Sequence, residues 1–269
     1  MRFAIPLGLV LGLALAAPAL AATGDQKPLK DVEFSFEGPL GTYNRADLQH
    51  GFQVYKEVCS ACHSLNRVAF HTLSQPGGPG FSDAEMKAIA AGYKVLAGPN
   101  DKGETVDDKG NALTRAGTPA DYFPPPFANE EAARAANGGA LPPDLSLIEK
   151  ARAGGAHYVY SIITGFGEKP PAGFTVTPNK YYNPYFLGWN ISMPPPLSDG
   201  QVSFVDGHPN KIADEAYAVV TFLAWASEPH LEDRHRIGLG VMIFLIVLSG
   251  LLYLTYRKVW HGGDKDDKH

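Results

Sequence analysis

The order Cys59-Ser60-Ala61-Cys62-His63 constrains this chain more than any other stretch, because C-x-x-C-H supplies two thiols and an imidazole at fixed offsets. Two residues between the cysteines let both sulfurs reach one porphyrin edge, and the histidine directly after the second delivers a nitrogen to the proximal face of the iron. The competing chemistries are a redox dithiol and half of a zinc site. Zinc would need further ligands at similar spacing, and the chain contains only 2 Cys. The motif therefore predicts one covalently attached haem c, bound through Cys59 and Cys62 with His63 on the iron.

Around that motif the apolar spacing is helical. Asn44 is placed to cap a helix on which Leu48, Phe52, Tyr55 and Cys59 recur at i, i+4, i+7 and i+11, carrying the first cysteine at its C-terminal end. Ser82-Asp83-Ala84-Glu85 has capping-box spacing and opens a second helix with Met86, Ile89, Ala90 and Tyr93 on one face, closing near Gly98. Residues 101 to 121 are acidic and Gly-rich, and read as a surface excursion. Asn129 caps a short helix that stops at Gly138-Gly139. Asp144 stands as N-cap of a further one with Leu145, Ile148 and Ala151 inward, and His157 to Thr164 gives another. From Gly165 to Pro209 periodicity fades into prolines, glycines and aromatics, a loop suited to wrapping the distal haem face. Asp214 to Ser227 is amphipathic and is expected to cross the Asn44 helix. The fold class is thus mainly α, a loop-rich class I cytochrome c-like domain with one C-terminal transmembrane helix.

Both ends carry membrane signals. Residues 1–21 read as a signal peptide, with an apolar core from Phe3 to Leu15 and the small-x-small ending Ala19-Leu20-Ala21. Ile237 to Tyr256 is twenty residues without a charge, about 30 Å of helix and enough to cross one bilayer core. Arg257 and Lys258 follow, with Tyr253, Tyr256 and Trp260 at interfacial positions. The expected division is 22–235 for a periplasmic haem domain, 236–257 for the anchor in lipid and 258–269 for a cytoplasmic tail, which locates a single-pass protein in a bacterial inner membrane. Between Ala22 and His235 acids outnumber bases by 25 to 17. That surplus argues against nucleic acid and suits a basic protein partner.

The sixth iron position decides whether such a haem reacts or only relays electrons. Met1 leaves with the signal peptide, Met242 is in the span and Met86 is on an apolar helix face. Met193 remains, in a loop stiffened by Pro194-Pro195-Pro196. His50, His71, His157 and His208 are the rival ligands, and the residues alone leave that choice open. A membrane-anchored carrier serving a terminal oxidase, or a haem peroxidase with an open site, are the alternative functions.

Several stretches together resemble the cytochrome c1 family. They are Gly51-Phe52-Gln53-Val54-Tyr55-Lys56 leading into the haem motif, Glu131 to Asn137, Gly139 to Ser146, Asn183-Pro184-Tyr185-Phe186, Met193-Pro194, and Trp225 to Pro229. The resemblance implies Met193 as axial ligand, Asn137, Pro142 and Pro143 lining the haem pocket, and Arg152 and Tyr158 near a propionate. It also implies a dimeric bc1 complex with cytochrome b and a Rieske iron-sulfur protein, a cytochrome c as acceptor, and no substrate chemistry by the subunit itself. Some bacterial relatives carry an extra cysteine pair between motif and methionine. This chain does not, so rigidity of the Met193 loop is expected from prolines and packing.

Overall fold

The computed structural model describes residues 26–261; residues 1–21, expected as a signal peptide, and the end of the expected tail lie outside the described residues. Two helices form the frame. α1 (Arg45–Glu57) starts where the Asn44 side chain accepts from the Ala46 N–H, and it buries Leu48, Phe52, Val54 and Tyr55. α5 (Ile212–Ser227) is buried on most of its circumference, with Ala216, Val219, Val220, Phe222, Leu223 and Trp225 in the core. The two cross at Gly51, where a β-carbon would run into the Ala218 carbonyl and the Phe222 side chain. Only glycine permits so close a crossing. Phe52, Tyr55, Phe70, Tyr93, Phe123, Phe222 and Trp225 then form a continuous aromatic core beneath the crossing.

Caps account for the other short helices. α2 (Asp83–Ala91) has the full capping box, Ser82 and Glu85 bonding each other's backbone. It buries Met86 as expected, but it ends at Gly92 rather than near Gly98, because residues 94–96 turn into strand β1 (Lys94–Leu96), which pairs with β2 (Thr114–Ala116). The acidic excursion of residues 101 to 121 is largely exposed up to β2, which lies within it, and continues through the turn from Thr118 to Asp121. α3 (Glu130–Ala136) is capped by Asn129 Oδ1 on the Ala132 N–H, and α4 is Gly155–Thr164. Later come β3 (Tyr181–Tyr182) and β4 (Asn190–Ile191), a two-residue antiparallel ladder inside the Pro-rich stretch.

Three further expectations need correction. Cys59 is not on α1, which ends at Glu57; Cys59–Ala61 is a separate 3-10 turn. The stretch after Asp144 is a run of turns rather than an α-helix, and Ala151 is exposed. The Asp144 carboxylate is drawn to another segment, as described below. α5 begins at Ile212, two residues early, because its first N–H is capped from a distance by Asp199 Oδ1 at 2.8 Å.

α6 (Leu231–His261) leaves the domain as one 31-residue helix. Its base is riveted to the start of α1. Glu232 accepts from the Tyr43 N–H at 2.9 Å and from Arg45 Nη2 at 2.6 Å, and the His235 ring donates to the Gly41 carbonyl at 2.9 Å. Beyond Arg236 the apolar side chains from Ile237 to Leu254 are exposed. This is one helix long and apolar enough to cross a membrane. The segment before α1, for which the sequence offered no reading, is a strap along α4. Lys30 N–H donates to Ser161 Oγ at 2.8 Å, Lys30 Nζ to the Thr164 carbonyl at 2.9 Å, and Lys27 N–H to the Pro184 carbonyl at 2.9 Å.

Candidate haem site

The 3-10 turn after α1 presents the motif. The Cys59 carbonyl accepts from both the Cys62 and His63 N–H groups, at 3.1 and 2.9 Å, which curls the cysteines and the histidine onto one short loop. Both thiols are free. Burial pushes the Cys59 thiol up to about 12, with Cys62 adding to the effect. A reactive dithiol needs the opposite, a lowered pKa.

His63 is oriented through its other nitrogen. Nδ1 lies 2.8 Å from the Pro143 carbonyl. A carbonyl can only accept, so the proton sits on Nδ1 and Nε2 keeps its lone pair, the tautomer an iron ligand requires. Burial lowers the His63 pKa, opposed by that hydrogen bond and by the nearby Asp144 charge.

Pro143 is held in turn. Asp144 Oδ2 accepts from Ser64 Oγ at 2.8 Å and the Asn66 N–H at 2.9 Å, while Oδ1 accepts from the Ser146 N–H at 2.9 Å. The Leu145 N–H donates to the Ser64 carbonyl at 2.9 Å, and Ser146 Oγ accepts from the Arg67 N–H at 3.0 Å. The segments 64–67 and 143–146 are thus laced together directly behind the histidine. Burial works against the Asp144 charge, yet the hydrogen bonds outweigh it and hold its carboxyl below the usual range. Tyr55 adds a bond from its hydroxyl to the His63 carbonyl at 3.3 Å.

The Met193 side is a second apolar cluster. Half-buried Met193, like Phe166 and Phe186, packs against the cluster of Ile162 of α4, Tyr185 and Ile191, and Tyr158 touches both this cluster and the main core. Arg152 lies beside the Tyr158 hydroxyl, where it opposes the rise that burial imposes on that group. The β3–β4 ladder ends two residues before Met193. The turn joining the strands forces Trp189 to φ 62°, unusual for a bulky side chain, and closes through Trp189 N–H to the Phe186 carbonyl at 2.9 Å. Asn183, fully buried, fastens the loop to α4: its Nδ2 donates to the Ile162 carbonyl at 2.7 Å and its Oδ1 accepts from the Tyr185 N–H at 3.1 Å.

The predicted residues therefore fall into two groups, Cys59, Cys62, His63 and Pro143 on one side and Arg152, Tyr158 and Met193 on the other, with Pro142 half-buried beside the first. Asn137 is the C-cap of α3, its Nδ2 donating to the Ala133 carbonyl at 2.7 Å. Of the rival histidines, His50 is engaged by Asp206 at 2.8 Å and stacked on His208, and His157 faces Glu37. Sequence reasoning missed Asp144 as a clamp, Tyr55 as a hydrogen-bond donor and Asn183 as a fastener. Asp144 carried a signal, but it was that of a helix cap.

Among the described residues no group of three or more His, Cys, Asp or Glu is arranged for a metal ion. Free thiols on one turn and a histidine with Nε2 left available fit a covalently attached haem instead. Residues 34–262 match the Cytochrome C1 family. The chain belongs to the cytochrome c1 family. It is 48% identical over 260 residues to "Cytochrome b/c1" of Bradyrhizobium diazoefficiens, covering 90% of this chain and 37% of that protein. It is 42% identical to "Cytochrome c1" of Rhodospirillum rubrum across all of this chain and 98% of that one. "Cytochrome c1, heme protein, mitochondrial" of Kluyveromyces lactis is 44% identical, covering 92% and 79%. The family assignment makes a mainly helical domain with a C-terminal apolar helix the expected architecture, and that is the architecture observed.

Proposed function

We propose that this chain is the haem-bearing electron-transfer subunit of a bc1 complex, taking single electrons from a Rieske iron-sulfur protein and passing them to a cytochrome c. Covalently held haem supplies reversible one-electron chemistry at iron. The chain's own residues do the rest. Cys59 and Cys62 hold the macrocycle by thioethers, and His63 offers Nε2 because Pro143 occupies Nδ1. Met193 would supply a second protein ligand to the iron from a loop fastened by Asn183, the β3–β4 ladder and the following prolines. Arg152 and Tyr158 serve a propionate, Pro142 and Asn137 the pocket wall. The observation that carries the reading is the His63–Pro143 hydrogen bond, which leaves Nε2 unprotonated on the same short turn as two unpaired thiols. A closed, thioether-capped iron shuttles electrons and does no chemistry on substrate.

Residues 22–235 form the exported haem domain, 236–257 the anchor and 258–269 the tail on the cytoplasmic side, within a dimeric assembly that includes cytochrome b. The uninterrupted exit of α6 from the domain and its exposed apolar surface support that anchor.

Replacement Met193→Leu tests the ligand. The midpoint potential is expected to fall by on the order of 0.1–0.4 V, since a thioether ligand raises it, and the ferrous protein should gain carbon monoxide binding. An unchanged midpoint with an unreactive ferrous iron would mean that another group caps the metal.

A further inference from the structure

Away from the haem motif, a cavity of about 210 Å³ opens among Phe36, Glu37, Tyr43, Glu149, His157 and Leu231, where the domain meets its anchor helix. Glu149 is 8% exposed, and its Oε1 is buried with no hydrogen-bond partner. A second carboxylate, Glu37, lines the same cavity, loosely paired with His157 Nδ1 at 3.4 Å. Burial, reinforced by Glu37 and opposed by Lys150, raises the Glu149 carboxyl well above its ordinary range; a cation within hydrogen-bond reach restores the charged form. At the rim two cations share one carboxylate, Glu228, which lines the cavity beside Lys150. Lys150 and Arg234 both reach Glu228, and their side chains remain 55% and 60% exposed.

Height along α6 places this arrangement at a membrane surface, an argument that rests on the anchor reading above. Arg234 and Leu231 precede the uncharged run from Ile237 by three and six residues, about 4.5 and 9 Å at the helical rise. The polar layer outside the hydrocarbon core is roughly 5–7 Å thick, so Arg234 falls within it and Leu231 just beyond its outer edge.

We propose that the cavity holds the headgroup of an ethanolamine phospholipid, ammonium inward against Glu149 and Glu37, phosphate outward at Lys150 and Arg234. An ammonium group brings three N–H donors to an oxygen that has none. A choline headgroup has no N–H to offer, and an anionic headgroup would meet two carboxylates. A metal ion is disfavoured because no suitable set of three ligands exists among the described residues.

The test uses the full chain in its detergent-purified complex, stripped of lipid and placed in nanodiscs of equal parts phosphatidylethanolamine and phosphatidylcholine. After re-extraction, retained lipid is counted by mass spectrometry. Wild type should retain one ethanolamine lipid per chain and no choline lipid, and Glu149→Gln should lower retention about tenfold, the worth of one charge-assisted hydrogen bond. An unchanged Soret spectrum checks that this variant is folded. If it is not, Glu37→Gln on the more exposed side of the cavity must lower retention instead. Equal retention by variant and wild type, equal retention of choline lipid, or none at all overturns the proposal while leaving the anchor intact. A chain that stays out of the discs overturns both.

Discussion

Replacing Asp144 by alanine should loosen the histidine side of the site without touching any ligand. The carboxylate accepts three hydrogen bonds of 2.8 to 2.9 Å, from Ser64, Asn66 and Ser146. Charge-assisted bonds contribute about 1.5–3 kcal/mol each when sheltered, but Asp144 is only half-buried and solvent screens part of that. A loss of about 3 kcal/mol for the set is a discounted figure, equivalent to about 6–12 °C in Tm for a domain of this size. The assay is urea unfolding of the haem-loaded protein followed at the Soret band. Asp144→Asn separates charge from shape through pH. The folded-state pKa is lowered, so the charge contributes fully above the unfolded value of about 3.9 and is lost as pH falls through the lower folded value. The gap between wild type and Asp144→Asn should therefore be widest at pH 5–7 and close on acidification below about pH 4. A destabilisation under about 1 kcal/mol for Asp144→Ala, or a gap to Asp144→Asn that persists into strong acid, would refute the clamp.

Other perturbations probe different levels. Gly51→Ala forces a methyl against the Ala218 carbonyl and Phe222, and should cost about 3 kcal/mol or more by prising α1 from α5, read as a lowered urea midpoint and poor haem incorporation. Asn183→Ala removes two buried hydrogen bonds, one from the methionine loop to the Ile162 carbonyl of α4 and one within the loop to the Tyr185 N–H; a cost of about 2–4 kcal/mol is expected. Carbon monoxide binding to its ferrous form should rise above wild type while remaining below that of Met193→Leu. Wild-type reactivity in Asn183→Ala would show that the prolines alone hold the loop.

Much of this was legible in the chain because its signals are local. C-x-x-C-H is a spacing rule for one cofactor, the Asn44, Ser82 and Asn129 caps act within three residues, and a run of uncharged residues is its own evidence for a span. The errors also have a local origin. Asp144 reads as a cap for the residues after it, yet its carboxylate also bridges to Ser64 and Asn66, some eighty positions away, and the expected helix gives way to turns. Asp199 moves the start of α5 in the same way, from thirteen residues upstream.

The sequence by itself thus determined the cofactor's attachment, the helical class and the apolar exit helix, since each follows from residue types at fixed short offsets. The tertiary structure alone decided which nitrogen of His63 is free, that Gly51 is the contact point of two helices, and that Asn183 fastens the loop bearing Met193. Those outcomes depend on partners brought together by chain reversal, and no periodicity along the chain encodes which carbonyl will meet which donor.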